Sequence, residues 1–249
     1  MVVGLFLTFV HPLIQADRVW ERPTTLCTIK DKAINESSGI APSLRYDGEF
    51  YTHNDSGDKP RFFRFDVSGK INGTYTVKKA KAIDWEDVAS ANRGGRPMLY
   101  FGDVGDNFLK RNNIVVYRIE EPKEGGARAV KVDAEFKLTY PDGPQNCEAF
   151  FVTADGSLWL VSKSPVGDSR VYTIKAPEKK VENKLKFVGT LRTDTRGFGG
   201  KLVTGAAVSP DGRYVVVRTY SGAHEFKAPT KFEDWILSKP TTIRTATEK

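Results

Sequence analysis

Gly102-Asp103-Val104-Gly105-Asp106-Asn107 lies between two apolar runs, 98–101 and 114–119. Short runs of this kind, rich in aromatic and β-branched residues, read as strands. The hexapeptide between them reads as a loop, because glycine supplies unusual backbone angles and Asp and Asn can satisfy nearby backbone groups. A related stretch, Asn54-Asp55-Ser56-Gly57-Asp58, lies between 50–51 and 62–63. Two acidic, glycine-punctuated loops in matching settings suggest a repeat whose polar chemistry sits at equivalent positions.

Outward from these loops the same alternation continues. Strands are predicted at 38–42, 49–53, 61–66, 74–78, 85–89, 98–101, 114–119, 130–138, 148–152, 158–162, 170–174, 185–191, 205–209, 214–218 and 223–226. Asp47-Gly48, Ser68-Gly69, Asp142-Gly143, Asp155-Gly156 and Asp211-Gly212 punctuate them, and such dipeptides between apolar runs signal hairpins. Convincing helical periodicity is absent, apart from one short turn predicted at 232–237. Two landmarks recur together. One aligns Glu36, Glu86 and Glu148 with Thr204-Gly205. The other aligns Gly57, Gly105, Gly167 and Gly222. Both repeat at intervals of about 50–60 residues, and four strands per unit of that length indicate a β-propeller. The predicted fold is therefore all-β, with four-stranded blades at about 36–79, 84–139, 147–191 and 204–246. The segment at 19–30 reads as extended and has no partner in these four. Its pairing with the last blade would start a fifth, which the sequence leaves truncated at the C-terminal side.

Composition narrows the class. Hydrophobic residues at 39% and charged residues at 28% fit a globular chain. A net charge of +7 invites a nucleic-acid reading. The Lys and Arg are dispersed, however, with no helical basic stripe or stacking platform, so nucleic acid is not an expected partner. Residues 2–10 are mostly apolar and Ile14-Gln15-Ala16 follows. This resembles a signal peptide over 1–16, without the usual basic start, ahead of a single propeller domain at 17–249. A secreted or periplasmic location and a monomer are expected. No later run is apolar enough to span a membrane. Cys27 and Cys147 are expected to stay unpaired. With three histidines and no Cys-x-x-Cys, a His/Cys zinc site is excluded.

The blade geometry gathers the chemistry. Antiparallel pairing puts the start of a blade's first strand beside the end of its second. Glu36, Asp84, Glu86 and Glu148 at strand starts are the candidate metal ligands. Asp55, Asp103, Arg111, Lys163 and Arg218 at strand ends and in their loops are the candidate ligand-binding residues. His53, Glu86, Lys163 and Arg218 are the candidates for a catalytic role. Crowded carboxylates repel unless a cation compensates. Oxygen-only donors suit a hard divalent cation, calcium before others. A basic wall beside such an ion suits a small anionic ligand, and metal-assisted hydrolysis of an ester, phosphoester or lactone is the natural reaction class. Two alternatives stay open. The acids can serve as turn and backbone caps, and the face can bind an envelope protein or glycan without catalysis. No Gly-x-Ser-x-Gly elbow is present.

The set Asn35-Glu-Ser-Ser-Gly-Ile-Ala, Thr52-His-Asn-Asp-Ser-Gly-Asp, Asp84-Trp-Glu-Asp-Val-Ala, Gly102-Asp-Val-Gly-Asp-Asn and Asn146-Cys-Glu-Ala resembles a family of uncharacterised secreted bacterial β-propeller proteins over about residues 30–246. Members of that family usually continue into a further blade. More distantly the chain is similar to phytase-like and sugar-lactonase-like propellers, whose channel carboxylates hold calcium or another divalent ion. That likeness implies acidic channel ligands and nothing finer.

Overall fold

Four antiparallel sheets stand in a ring as a four-bladed β-propeller. The computed structural model describes residues 20–165, 168–193 and 198–245. The expected signal peptide at 1–16 and the Gly167 landmark lie outside these. Blade one comprises β1 (Ser37–Pro42), β2 (Glu49–Asn54), β3 (Arg61–Asp66) and β4 (Ile71–Lys78). Blade two comprises β5 (Trp85–Arg93), β6 (Arg96–Asp103), β7 (Ile114–Glu120) and β9 (Ala134–Thr139), with a short β8 (Ala129–Lys131) in the last connection. Blade three comprises β10 (Cys147–Val152), β11 (Leu158–Ser162), β12 (Ser169–Ile174) and β14 (Lys186–Leu191), with β13 (Glu182–Lys184) in the same place. Blade four comprises β15 (Val203–Val208), β16 (Tyr214–Thr219), β17 (Gly222–Lys227) and β18 (Thr241–Ile243). Cys27 and Cys147 are both free thiols.

The core lies between blades. Tyr51, Phe62 and Tyr75 of blade one meet Trp85, Leu99 and Phe101 of blade two. Tyr100, Val116 and Phe136 of blade two meet Phe150, Leu160 and Tyr172 of blade three. Phe151, Trp159 and Val171 of blade three meet Val215, Val217 and Phe226 of blade four. Inner strands β1, β5, β10 and β15 pack in that order around the axis.

One expected strand is broken in two, and another is preceded by a short strand that the sequence did not announce. The run at 130–138 divides at Asp133, which binds Arg118 Nη2 at 2.6 Å and turns the chain. The run at 185–191 begins with Leu185, which is buried and donates its N–H to Thr139 O at 2.9 Å. The short strands leave their own blade. β8 pairs in parallel with β4 of blade one, and β13 pairs in parallel with β9 of blade two. Blade four does the same with a 3-10 turn, Phe232–Leu237, which buries Trp235 among Phe151, Trp159 and Leu191 of blade three. Every third-to-fourth-strand connection from blade two onward thus clasps the blade before it.

No strand forms in the described part of the N-terminal segment, residues 20–34, so the expected start of a fifth blade is absent there. Instead the segment reaches from blade four to blade one. Trp20 Nε1 donates to Glu225 Oε2 at 3.2 Å, and Asn54 Nδ2 donates to Ala33 O at 2.8 Å.

The first two strands of each blade share one irregularity. Pairing runs from Ser37↔Asn54 to Ile40↔Thr52, from Trp85↔Asp103 to Asp87↔Gly102, from Cys147↔Ser162 to Ala149↔Val161, and from Val203↔Thr219 to Gly205↔Arg218. The bulged residue after the first pair is Ser38, Glu86, Glu148 or Thr204. A bulge re-aims the side chain it carries and often neighbours a functional site.

Candidate functional site

The bulges put Glu86 and Glu148 at the same height in adjacent blades. Glu86 is buried to 3% exposure and shares a side-chain hydrogen bond with Glu148. Asp84, just before β5, and Asp55, just after β2, complete the group. One carboxylate oxygen from each of Asp55, Asp84 and Glu86 lies within 4.8 Å of the others. Oxygens bound to one calcium-sized ion at about 2.4 Å can be no farther apart than about 4.8 Å. Gly105, from the Gly102–Asn107 loop, closes the floor. A Cβ there would collide with Asp84 Oδ2 and Glu86 Oε1, so glycine lets the loop approach the carboxylates without displacing them.

The surroundings are prearranged. Asp103 Oδ1 accepts from Asp84 N at 3.0 Å and from Arg111 Nη1 at 2.9 Å, and Arg111 Nη1 also donates to Gly105 O at 2.8 Å. Asp106 accepts the N–H groups of Lys110 and Arg111. Asn146 latches this loop to blade three. Its Oδ1 accepts from Asp106 N at 2.8 Å, and its Nδ2 donates to Asn107 Oδ1 and Glu148 Oε1 at 3.1 Å each. Lys163 Nζ lies 3.2 Å from Glu148 Oε1 and donates to Tyr220 Oη at 2.9 Å. Arg111 and Lys163 therefore neutralise Asp103 and Glu148. Among the described residues none of Asp55, Asp84 and Glu86 is in a salt bridge.

The protonation chemistry follows. Burial, then the charges of Asp55 and Glu148, push the Asp84 carboxyl up to about 6. Burial, then Glu148, Asp55 and Asp84, push Glu86 well above the usual carboxylate range. Lys163 stays above the ordinary lysine value, because its bonds to Tyr220 and Glu148 outweigh the burial that opposes its charge. In metal-free protein Asp84 and Glu86 thus hold protons that the unfolded chain releases near pH 4. The folded state binds more protons over that window, so stability falls as pH rises. The melting temperature of metal-depleted protein is expected to decline steadily from pH 5 to pH 8, by roughly 2–4 °C for each kcal/mol lost. A melting temperature that rises across this window would contradict the arrangement.

Several expected residues stand elsewhere. Glu36 aligns with the other glutamates in sequence, but the bulge position of blade one is Ser38, two residues on, and its Oγ donates to Glu86 O at 2.6 Å. The Glu36 side chain is exposed, and its backbone carbonyl accepts from Asp55 N at 2.9 Å. His53 is fully buried, edge-on to Trp85 and Phe101, with Nδ1 2.8 Å from Asn54 O. Burial lowers its pKa, which keeps it neutral in the core. Arg218 is half-buried on β16, opposite Gly205.

Asp87 is the residue that motif reading passed over. Its Oδ1 accepts from Val88 N at 2.8 Å, and its Oδ2 accepts from Phe150 N at 3.0 Å and Ala206 N at 3.4 Å. One carboxylate therefore joins inner strands of blades two, three and four. Burial pushes it up to about 8 against the pull of those three donors. Toward the far ends of the inner strands, small residues such as Ala89, Ala91 and Ala206 leave a cavity of about 720 Å³, walled also by Ile40, Val152 and Phe151.

A propeller with a buried carboxylate cluster at the start of its inner strands is the class of protein that this fold and site define. No protein-family model matches the chain, and no curated protein matches it in sequence. Among solved structures it is similar to an auxiliary nutrient binding protein from Bacteroides thetaiotaomicron, with a TM-score of 0.51 and 12% identity, covering 87% of this chain and 44% of that one. It is also similar to the PQQ-bound aldose sugar dehydrogenase from Streptomyces coelicolor, with a TM-score of 0.48 and 11% identity, covering 90% and 85%. A third neighbour is the hydrazine synthase of Kuenenia stuttgartiensis, with a TM-score of 0.43 and 13% identity, covering 95% and 54%. The chain thus spans about half the length of the first and third of these. Such likeness concerns the fold alone. No helix among the described residues is long and apolar enough to cross a membrane.

Proposed function

We propose that Asp55, Asp84 and Glu86 bind a hard divalent cation at the end of the central channel, and that the ion recruits a small anionic ligand beside Lys163. The observation that carries this reading is the convergence of three carboxylates, none of them in a salt bridge, over a glycine with no room for a side chain. Bringing these charges together costs stability unless a cation replaces the protons. Calcium is the first ion to test, since carboxylates alone disfavour softer metals. Bound there, the ion would act as a Lewis acid toward an ester, phosphoester or lactone oxygen. Lys163, held by Tyr220 and Glu148, would orient the anionic group, and the Glu86–Glu148 pair would hold a proton within the channel. A secreted or periplasmic setting, where calcium is plentiful, belongs to the same reading.

Thermal unfolding in metal-depleted buffer tests it. Calcium, magnesium, manganese and zinc are added singly, and at least one is expected to raise the melting temperature saturably. An ion at 100 times its Kd stabilises by about 2.7 kcal/mol. Glu86→Gln and Asp84→Asn should abolish that rise while leaving the metal-free protein folded. If no ion shifts the transition, the reading fails.

The exposed pair Phe108 and Leu109, at 81% and 55% exposure, favours a second reading in which this face docks an envelope protein or glycan without catalysis. The pair projects from the loop between Asp106 and Arg111, and apolar side chains this exposed often mark contact surfaces.

A further inference from the structure

A second cavity, of about 400 Å³, opens between blades one and two, and none of Asp55, Asp84 and Glu86 lines it. Its walls carry Lys79 and Lys81 from the connection between β4 and β5, Lys137 from β9, and Arg111-Asn112-Asn113 from the loop before β7. The acids facing it are Asp103, already bound by Arg111, and Glu135. Some lysines of the protein take a carboxylate: Lys163 on Glu148, Lys179 on Asp133, Lys186 on Glu233, Lys231 on Asp234. The ammonium groups of Lys79, Lys81 and Lys137 take none among the described residues.

Nor is this a floppy fringe. The Lys81 backbone is pinned on both sides. Its N–H donates to Tyr117 Oη at 3.2 Å, and its carbonyl accepts from Trp85 Nε1 at 2.9 Å. Tyr117 is buried and lines the cavity, and since its oxygen accepts from Lys81 it keeps a hydroxyl proton to donate. Lys79 takes the left-handed conformation, φ 67°, at the turn that brings the segment across the opening. Non-glycine residues held this way tend to cluster where a ligand is clamped. Arg111 uses one nitrogen on Asp103 and Gly105, which leaves further guanidinium donors for a ligand.

We propose that this cavity binds the tetrahedral oxyanion of a small polar molecule, a phosphate or sulfate ester of about sugar size. Three unpaired ammonium groups and a guanidinium match a doubly charged oxyanion. The amides of Asn112 and Asn113 match the hydroxyls of a polyol or sugar. The volume lies within the range of small-molecule pockets, about 300–1,000 Å³. The site does not depend on cation binding at the carboxylate cluster.

Calorimetric titration in metal-depleted buffer at low salt tests the proposal, with inorganic phosphate, inorganic sulfate and glycerol 3-phosphate as probes. Saturable binding is expected, with glycerol 3-phosphate at least as tight as phosphate. Equal affinity for sulfate assigns the site to tetrahedral oxyanions generally, whereas weaker sulfate binding assigns it to phosphate esters. Lys79→Gln, Lys81→Gln and Lys137→Gln should each weaken binding about tenfold, which corresponds to about 1.4 kcal/mol. Lys70→Gln, on the β3–β4 turn away from the cavity, should leave it unchanged, and all four variants should melt like the parent. Glu86→Gln should bind the probes normally, so loss of the cation reading leaves this one standing. Absence of saturable binding, or equal weakening by Lys70→Gln, overturns the proposal.

Discussion

Asp87→Ala is expected to lower the unfolding free energy by about 3–5 kcal/mol, from the removal of one acceptor for two buried donors and a half-buried one. The carboxylate receives Val88 N–H from its own strand, Phe150 N–H from β10 and Ala206 N–H from β15. Alanine leaves the buried Val88 and Phe150 donors orphaned near the axis, while the half-buried Ala206 donor has access to water. Each orphaned donor costs about 1–3 kcal/mol, and the longest of the three bonds contributes least. A loss of that size is a large part of the 5–15 kcal/mol that holds most domains together. The Asp87→Asn variant keeps one acceptor oxygen and should fall between alanine and the parent. Urea unfolding of the parent, Asp87→Asn and Asp87→Ala measures the series. A loss below about 1 kcal/mol for alanine would show that the axis does not depend on this group.

Gly39→Ala carries the second large effect. A Cβ at Gly39 would stand 2.7 Å from Asp87 Cα and 2.8 Å from Asp87 C, with Val88 N closer still. These are backbone atoms of β5, so no rotamer change relieves the contact and β1 must retreat from its neighbour. A cost of about 3 kcal/mol or more is expected, at the upper end of overpacking effects. The retreat also pulls on Ser38 and, through the Glu36 carbonyl, on Asp55. The variant should therefore respond less to divalent cations even where it stays folded. Blade four supplies the control. Gly205 is the equivalent residue by register, and nothing lies within 4 Å of a Cβ built there. Gly205→Ala should be neutral or stabilising by up to about 1 kcal/mol, through loss of freedom in the unfolded chain. Equal melting temperatures for the two alanine variants would refute this account.

The strands were legible because each carries a local signature. Arg61–Asp66 and Leu158–Ser162 follow the sequence reading residue for residue, since Asp-Gly and Ser-Gly turns and apolar runs act at short range. The Phe232–Leu237 turn was equally plain. The break at Asp133 and the extra strand before Leu185 were not, because what separates β8 and β13 from the strands that follow is a partner in another blade. β18 has little apolar content, and its place is decided by pairing with β17. In the site, Asp84 and Glu86 could be read from their position at a strand start. Glu36 was misaligned because the reading matched one glutamate to another, whereas strand pairing gives Ser38 the position that Glu86 and Glu148 hold in their blades. Asp87 lies within the Asp84-Trp-Glu-Asp-Val-Ala motif, but its role was not legible there, since two of its partners are backbone N–H groups 63 and 119 residues away.

The backward clasps bear on how the protein is made. A chain leaves the ribosome N-terminus first, and blade one completes its own four strands long before β8 exists to cover β4. At translation speeds of about 5–20 residues per second, that outer strand waits on the order of several seconds with its N–H and C=O groups unpaired. The same delay passes to blade two until β13 appears, and to blade three until Trp235 docks. Sticky edges are therefore exposed one at a time during synthesis, and the most recently finished blade is the one that a holding chaperone must shield. In the finished molecule the order reverses. Blade one cannot peel away until blade two lets go of it, so spontaneous opening should begin at blade four, and amide exchange in β16 and β17 should outpace exchange in β2 and β3.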